Sequence, residues 1–223
     1  LDMVFLCNPN NPTGILTDRE FLFRLLRVCR EMGIFLVVDE CFQDFIREPG
    51  QYSLKAQLPR YHNLFLLKAF TKRYAMAGVR LGYGITENEE LLEKMTQATQ
   101  PWNISIPAQA AGIAALGEVE YVERARKLIF AESEYLSEEL YKLGMTVFPS
   151  QANYLFFKGP EDLFEICVGQ NVLIRDCSNY PGLGKGFYRV AVRTHEENER
   201  LIQAIHDGLM EARKKTQEEE GEE

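Results

Sequence analysis

The sequence predicts an α/β fold in two parts: a mostly parallel sheet with helices on both faces, followed by a smaller α+β domain. Three observations carry this expectation. The strand-like runs of the first part are continuously apolar, which marks strands buried on both faces. Helical patterns separate them, as parallel connections require. After about residue 118 the pattern changes to shorter strands and a different spacing of helices.

In order, "MVFLC" (3–7) reads as the first strand and runs into the turn-rich "NPNNPTG" (8–14). A helix is expected from about Asp18 to Met32, with Phe21, Leu22, Leu25, Leu26, Val28 and Cys29 as its apolar positions, stopping at Gly33. "IFLVVDE" (34–40) is a second apolar strand that ends in acid, and "NLFLLKAF" (63–70) a third. Helices follow near 87–98, 107–116 and 119–143, the last with Gly144 as its C-terminal cap. "MTVFP" and "ANYLFFKG" are shorter strands, then a helix covers about 161–168. "VLIRD" and "FYRVAVR" are strands again, and a long helix runs from about 195 to 214. The boundary is placed at 118/119, giving parts 1–118 and 119–215 and an acidic, disordered tail at 216–223. No internal repeat or Gly/Ser linker separates the parts.

The 223 residues are 46% apolar and 26% charged, the composition of an ordinary globular protein. A net charge of −8, of which −3 lies in residues 211–223, argues against a nucleic-acid partner, which requires a basic footprint. Five cysteines, at 7, 29, 41, 167 and 177, form no C-x-x-C pair. They fit free thiols in a reducing cytoplasm better than a disulfide framework. The three histidines have no metal-ligand spacing, so no metal is expected. No apolar run approaches the ~18 residues of a membrane span. The chain opens directly on an apolar strand, as a piece cut from within a domain would.

In open α/β sheets, ligands sit beyond the carboxyl ends of the strands. Three such ends carry polar residues: Asn11, Asp39 and the Thr71-Lys72 pair. A lysine among apolar and small residues suits a Schiff-base nucleophile, because desolvation frees the amine. An aspartate ending a buried strand suits a buried cation. Pyridoxal phosphate needs both, and phosphate donors that Thr71 and Arg80 supply. Taken singly, each feature has a plainer reading. "NPNNPTG" is compatible with overlapping turns, Asp39-Glu40 with a turn, Lys72 with a solvated side chain, and Arg80 with a surface charge.

Taken together, "NPNNPTG", the aspartate 28 residues beyond Asn11, and "TKRYAMAGVRLGY" resemble the pyridoxal-phosphate enzymes of aminotransferase class I/II, fold type I. The resemblance implies that the first part is the remainder of that family's large domain. It implies that Asn11 contacts the cofactor's 3-oxygen and Asp39 its pyridine nitrogen. Lys72 would carry the cofactor as an imine, and Arg80, eight residues on, would bind the phosphate. Within the histidinol-phosphate aminotransferase-like branch, the chain most resembles the L-threonine-O-3-phosphate decarboxylases of cobalamin synthesis. "DECFQDF" (39–45), "QPWNIS" (100–105) and "LIRDCSNYPGLGKGFYRVAVRTHEENERL" (173–201) carry this. Phe42 stands where aminotransferases usually place a tyrosine, and Arg193 where they usually place a glycine.

Arg189 matches the family's carboxylate-binding arginine, and Arg175 a second anion-binding position of the decarboxylases. Their plainer reading, with Arg193, is salt bridging to Asp176, Glu196 or Glu197. The resemblance thus implies a small phosphorylated amino acid as substrate, with no nucleic acid or membrane partner, and a homodimer with sites at its interface. The alternatives are a histidinol-phosphate-type aminotransferase and a truncated, catalytically incomplete remnant. Two departures stand out. Ala69 occupies a position that is commonly a phosphate-binding serine. The family's N-terminal part, which carries the glycine-rich phosphate loop and the ring-stacking aromatic, is not in this sequence.

Overall fold

The computed structural model describes residues 1–221. The chain divides into two compact units, one of residues 1–11 and 15–125, the other of residues 12–14 and 126–223.

In the first unit, β1 (Met3–Cys7), β2 (Phe35–Asp39) and β3 (Leu64–Ala69) lie side by side and parallel. Between β1 and β2 runs α1 (Arg19–Glu31). It starts where the Asp18 carboxylate accepts the Phe21 N–H at 3.0 Å, a side-chain cap for an otherwise unpaired donor. It ends at Glu31, two residues before Gly33, whose φ of +68° only glycine adopts cheaply. Leu22, Leu26 and Cys29 form its buried stripe, spaced four and three residues apart. They pack on Leu36, Val38, Leu64 and Leu66, the inward set of two strands in register. Each wholly buried leucine contributes about 1.5–3 kcal/mol. A four-residue α2 (Pro49–Tyr52) and a 3₁₀ turn at Lys55–Arg60 bring Leu54 and Leu58 into the same cluster.

After β3 the chain enters the single turn α3 (Phe70–Arg73), a 3₁₀ turn (Ala77–Val79) and β4 (Gly82–Ile85), which pairs antiparallel with β3. The sequence reading contained no strand there, so the sheet is mixed, in the order β1-β2-β3-β4. Gly84 is required by packing. A Cβ there would stand 2.1 Å from Phe65 Cζ. On β1, Phe5 is 71% exposed.

Three helices follow: α4 (Glu89–Ala98), α5 (Ile106–Leu116) and α6 (Val119–Lys142). Asn88 caps α4 and Ser105 caps α5 by accepting backbone N–H groups. The division between the units falls within α6.

The second unit holds β5 (Thr146–Phe148), β6 (Tyr154–Lys158), α7 (Leu163–Gly169), β7 (Arg175–Asp176), β8 (Phe187–Ala191) and α8 (His195–Gly221). Its strands form an antiparallel sheet in the order β5-β6-β8-β7. Leu155, Phe157, Tyr188 and Val190 point to one face, against Leu136, Leu140, Leu163, Cys167, Leu201 and Ile205. The alternate residues Phe156, Phe187 and Arg189 point to the other. Of the run "VLIRD", only Arg175 and Asp176 pair as strand. The last helix extends to Gly221, into the stretch read as a disordered tail, and residues 222–223 lie outside the described residues.

Candidate active site

The first unit gathers Asn11, Asp39, Phe42, Thr71, Lys72 and Arg80 on the segments that leave β1, β2 and β3. Asp39 ends β2, half-buried, and its Oδ1 accepts the Cys41 N–H at 2.9 Å. Its carbonyl accepts the Asn8 N–H at 3.0 Å, which ties the turn after β1 to the end of β2. The side chain of Asn8 is wholly buried, and its Oδ1 accepts the Thr17 N–H at 2.9 Å. The loop carrying Asn11 is thus held at both ends, and Asn11 is itself half-buried.

Phe42 is buried at 8% exposure, and the Lys72 ammonium stands 5.3 Å from its ring centroid. Ammonium groups over aromatic faces at that range are attracted by the ring quadrupole. The residues expected to hold the aldehyde and to flank the cofactor's oxygen are therefore neighbours. Lys72 is exposed, so the desolvation expected from its apolar neighbours in sequence is not supplied by the described residues. Physically, the one-turn α3 buries Phe70 and turns the lysine outward. Thr71 is half-buried. Arg80 is exposed, with its guanidinium on the Ala77 carbonyl at 3.1 Å. Its backbone is left-handed, at φ +57°, a conformation that costs a non-glycine residue about 1–3 kcal/mol and clusters at functional sites.

Two thiols sit beside Asp39. Burial, then the hydrogen bond and the charge of Asp39, push Cys41 up to about 12. Burial and the Asp39 charge raise Cys7 as well. Both therefore carry less thiolate, the nucleophilic form, at neutral pH than an ordinary cysteine.

Two cross-links escaped the sequence reading. Glu40, adjacent to Asp39 and wholly buried, pairs with Lys68 of β3 at 3.0 Å. Arg73, adjacent to Lys72, pairs with Asp44 and donates from Nε to the Tyr74 hydroxyl at 3.0 Å. The available signal was Lys68 itself, a charge inside the apolar run "NLFLLKAF".

In the second unit, Arg175 and Arg189 are register partners across the β7–β8 pair. Directly opposed residues share a face, with Cβ atoms roughly 4.5–5.5 Å apart. Arg189 is half-buried, with its guanidinium 5.1 Å from the Tyr154 ring. Arg175 is exposed, donates to Asn179 Oδ1 at 2.9 Å and lies 5.6 Å from the Tyr180 ring. Its plainer reading named Asp176, but that carboxylate accepts instead from Ser178 N and Oγ. Arg193 lies beyond β8 and pairs with Glu197 at 2.6 Å, both groups largely exposed. That is the salt bridge its plainer reading named, and it occupies the guanidinium.

As a donor set the first unit fits pyridoxal phosphate: an amine for the aldehyde, a carboxylate for the pyridine nitrogen, an amide for the ring oxygen, and a hydroxyl and guanidinium for the phosphate. Among the described residues, no group of three His, Cys, Asp or Glu is placed to hold a metal, and no helix is long and apolar enough to cross a membrane.

Comparison with known proteins shows the family and the fold. Residues 1–205 match the family model for aminotransferase class I and II. A threonine-phosphate decarboxylase of Salmonella typhimurium is 36% identical over 213 residues, 94% of this chain and 58% of the relative. A histidinol-phosphate aminotransferase of Desulfitobacterium hafniense is 39% identical over 212 residues, 93% of this chain and 56% of the relative. The chain therefore spans a little over half the length of these relatives. Among solved structures, the histidinol-phosphate aminotransferase of Clostridium acetobutylicum superposes with a TM-score of 0.87 at 33% identity, over 92% of this chain and 63% of that one. The L-threonine-O-3-phosphate decarboxylase of Porphyromonas gingivalis shares the fold, with a TM-score of 0.80 at 24% identity, over 94% of this chain and 65% of that one. By the extent and identity of these matches, this chain belongs to the aminotransferase class I and II family of pyridoxal-phosphate-dependent proteins.

Proposed function

We propose that the protein carrying this chain is a pyridoxal-phosphate enzyme that decarboxylates a phosphorylated amino acid, L-threonine O-3-phosphate, for cobalamin synthesis. The observation that carries the reading is the Arg175–Arg189 pair. Like charges directly opposed across two strands are destabilising, and an anion lying between them removes the penalty. Two planar guanidinium forks suit a ligand with both carboxylate and phosphate better than one with a single carboxylate.

Pyridoxal phosphate, when bound, supplies an aldehyde for the substrate amine and an electron sink for the bond broken at Cα. Lys72 provides the amine that tethers it. Asp39 keeps the proton on the pyridine nitrogen, and Asn11 donates to the ring oxygen. Phe42 offers that oxygen no hydroxyl. Thr71 and Arg80 hold the phosphate in the absence of a serine at Ala69. Arg189 and Arg175, opposed on one face of the β7–β8 pair, would hold the substrate's anions. Arg193, held by Glu197, is assigned a place at the rim of this anion site. Residues 1–118 and 119–215 serve as the large and small domains, and the working form is a homodimer. The five free cysteines suit a reducing cytoplasm.

A second reading is favoured by the 39% identity to a histidinol-phosphate aminotransferase, at a level similar to that of the decarboxylase relative. Protein expressed from its complete coding sequence separates the two. Release of CO2 from L-threonine O-3-phosphate, with little amino transfer to 2-oxoglutarate, supports the first. Brisk amino transfer from histidinol phosphate without CO2 release replaces it with the second.

A further inference from the structure

Glu40 is the most deeply buried charged group of the first unit among the described residues, and the mechanism above gives it no role. Both its oxygens are occupied. Oε2 takes Lys68 Nζ at 3.0 Å and Ser53 Oγ at 2.8 Å, and Oε1 takes the Leu54 N–H at 3.0 Å. The donors come from β3 and from the segment just after α2, far apart in sequence. The Lys68 side chain is itself only 12% exposed. A buried ion pair is weak evidence for stability, since well-packed apolar residues often serve as well. What such a pair supplies is a fixed arrangement, and the arrangement here surrounds Asp39.

The peptide joining Asp39 to Glu40 is held on both sides. The Asp39 carbonyl accepts from Asn8, and the Glu40 N–H donates to the Leu67 carbonyl at 3.0 Å. The Glu40 carbonyl accepts from Gln43 N at 3.0 Å, closing the turn that also presents the Cys41 N–H to Asp39. Successive side chains on a strand point to opposite faces. Driving the Glu40 carboxylate inward onto Lys68 therefore drives the Asp39 carboxylate the other way. Lys68 sits near the end of β3, four residues before Lys72. The pair thus fastens the end of the strand that presents Asp39 to the end of the strand that leads into Lys72. One turn further on, Arg73 and Asp44 fasten the same two segments again.

We propose that Glu40, gripped by Lys68 and Ser53, is a positioning residue that sets the direction of the Asp39 carboxylate and its spacing from Lys72. The inference rests on the reading of Asp39 and Lys72 as the groups at opposite ends of the cofactor ring. A misdirected Asp39 weakens its hold on the pyridinium proton without removing any atom that touches the cofactor.

The experiment uses protein expressed from its complete coding sequence, loaded with pyridoxal phosphate. It compares Glu40→Gln, Ser53→Ala, Asp39→Asn and the Glu40→Gln/Asp39→Asn pair. The readouts are the pH midpoint of the near-visible band, cofactor affinity and thermal unfolding. Glu40→Gln should move the midpoint in the same direction as Asp39→Asn, by roughly one pH unit, the scale of a charge pair's contribution. The double variant should move it no further than Asp39→Asn alone, since groups acting through one another are not additive. Ser53→Ala keeps the ion pair, guards against loss of folding in Glu40→Gln, and should give a smaller shift of the same sign. Midpoints unmoved in Glu40→Gln and Ser53→Ala, with only lowered unfolding temperatures, overturn the proposal alone. A wild-type protein that develops no near-visible band overturns the proposed function and this proposal with it.

Discussion

Replacing Arg189 with methionine should weaken substrate binding far more than it alters folding. Charge-assisted hydrogen bonds contribute about 1.5–3 kcal/mol each. Removing one such contact to the substrate should therefore weaken binding of L-threonine O-3-phosphate by roughly 10- to 150-fold, at about 1.4 kcal/mol per decade. In the free protein two terms oppose each other. Arg189 loses its contact with the Tyr154 ring at 5.1 Å, a loss of about 0.5–1 kcal/mol. It also loses its repulsion with Arg175, its direct cross-strand partner, a gain of about 0.2–1 kcal/mol. The methionine stem keeps most of the aliphatic packing. These two terms together move the unfolding temperature by no more than about 4 °C, at ~2–4 °C per kcal/mol for a chain of this size. Calorimetric titration with the substrate and a thermal melt measure the two quantities on one preparation. Unchanged affinity in a well-folded Arg189→Met protein would refute the anion-site assignment. A melt lowered by about 10 °C or more would assign Arg189 to folding instead.

Asp39→Ala should lower turnover by roughly 100-fold or more, because it removes an electrostatic contact to the reacting system, and should lower the melt by ~2–12 °C because the Cys41 N–H loses its acceptor; steady-state kinetics and a thermal melt decide the two. Cys41, raised from 9.0 to about 12, should alkylate far more slowly than a free thiol at pH 8 and accelerate only as the pH approaches 12. Because the folded thiol holds its proton more tightly than the unfolded one, its contribution to stability is complete below about pH 9 and is lost as the pH rises toward 12. Denaturant melts at pH 8 and pH 10.5 should show that decline, and a rise would contradict it. Gly84→Ala, which sets a Cβ 2.1 Å from Phe65 Cζ, should cost about 1–3 kcal/mol and lower the melt by ~2–12 °C.

The fold was legible where local chemistry and tertiary context agreed. Asp18 and Gly33 bracket α1, and the apolar runs of β1, β2 and β3 became parallel neighbours. β4 escaped because its "GYGI" has no apolar period. It is a strand only because β3 offers it an edge and Phe65 needs the space that Gly84 leaves. Of "VLIRD", only Arg175 and Asp176 find partners on β8, so the strand is two residues long.

The site shows the same division. The order and spacing of Asn11, Asp39, Lys72 and Arg80 are properties of the chain and could be read directly. The link between Glu40 and Lys68, and the facing of Arg175 and Arg189, are properties of sheet register, which no local pattern specified. Exposure was misjudged for the same reason. Lys72 sits among apolar letters, but a single helical turn after β3 buries Phe70 and turns the lysine to the outside.

The reading of this chain as a pyridoxal-phosphate carrier is met most directly by one absorbance spectrum. Protein from the complete coding sequence, mixed with pyridoxal phosphate and freed of excess, should show a near-visible band. The Lys72→Ala variant, folded to the same melting temperature, should show none. A band of full strength surviving in Lys72→Ala would place the cofactor's anchor on another amine and contradict the assignment of Lys72.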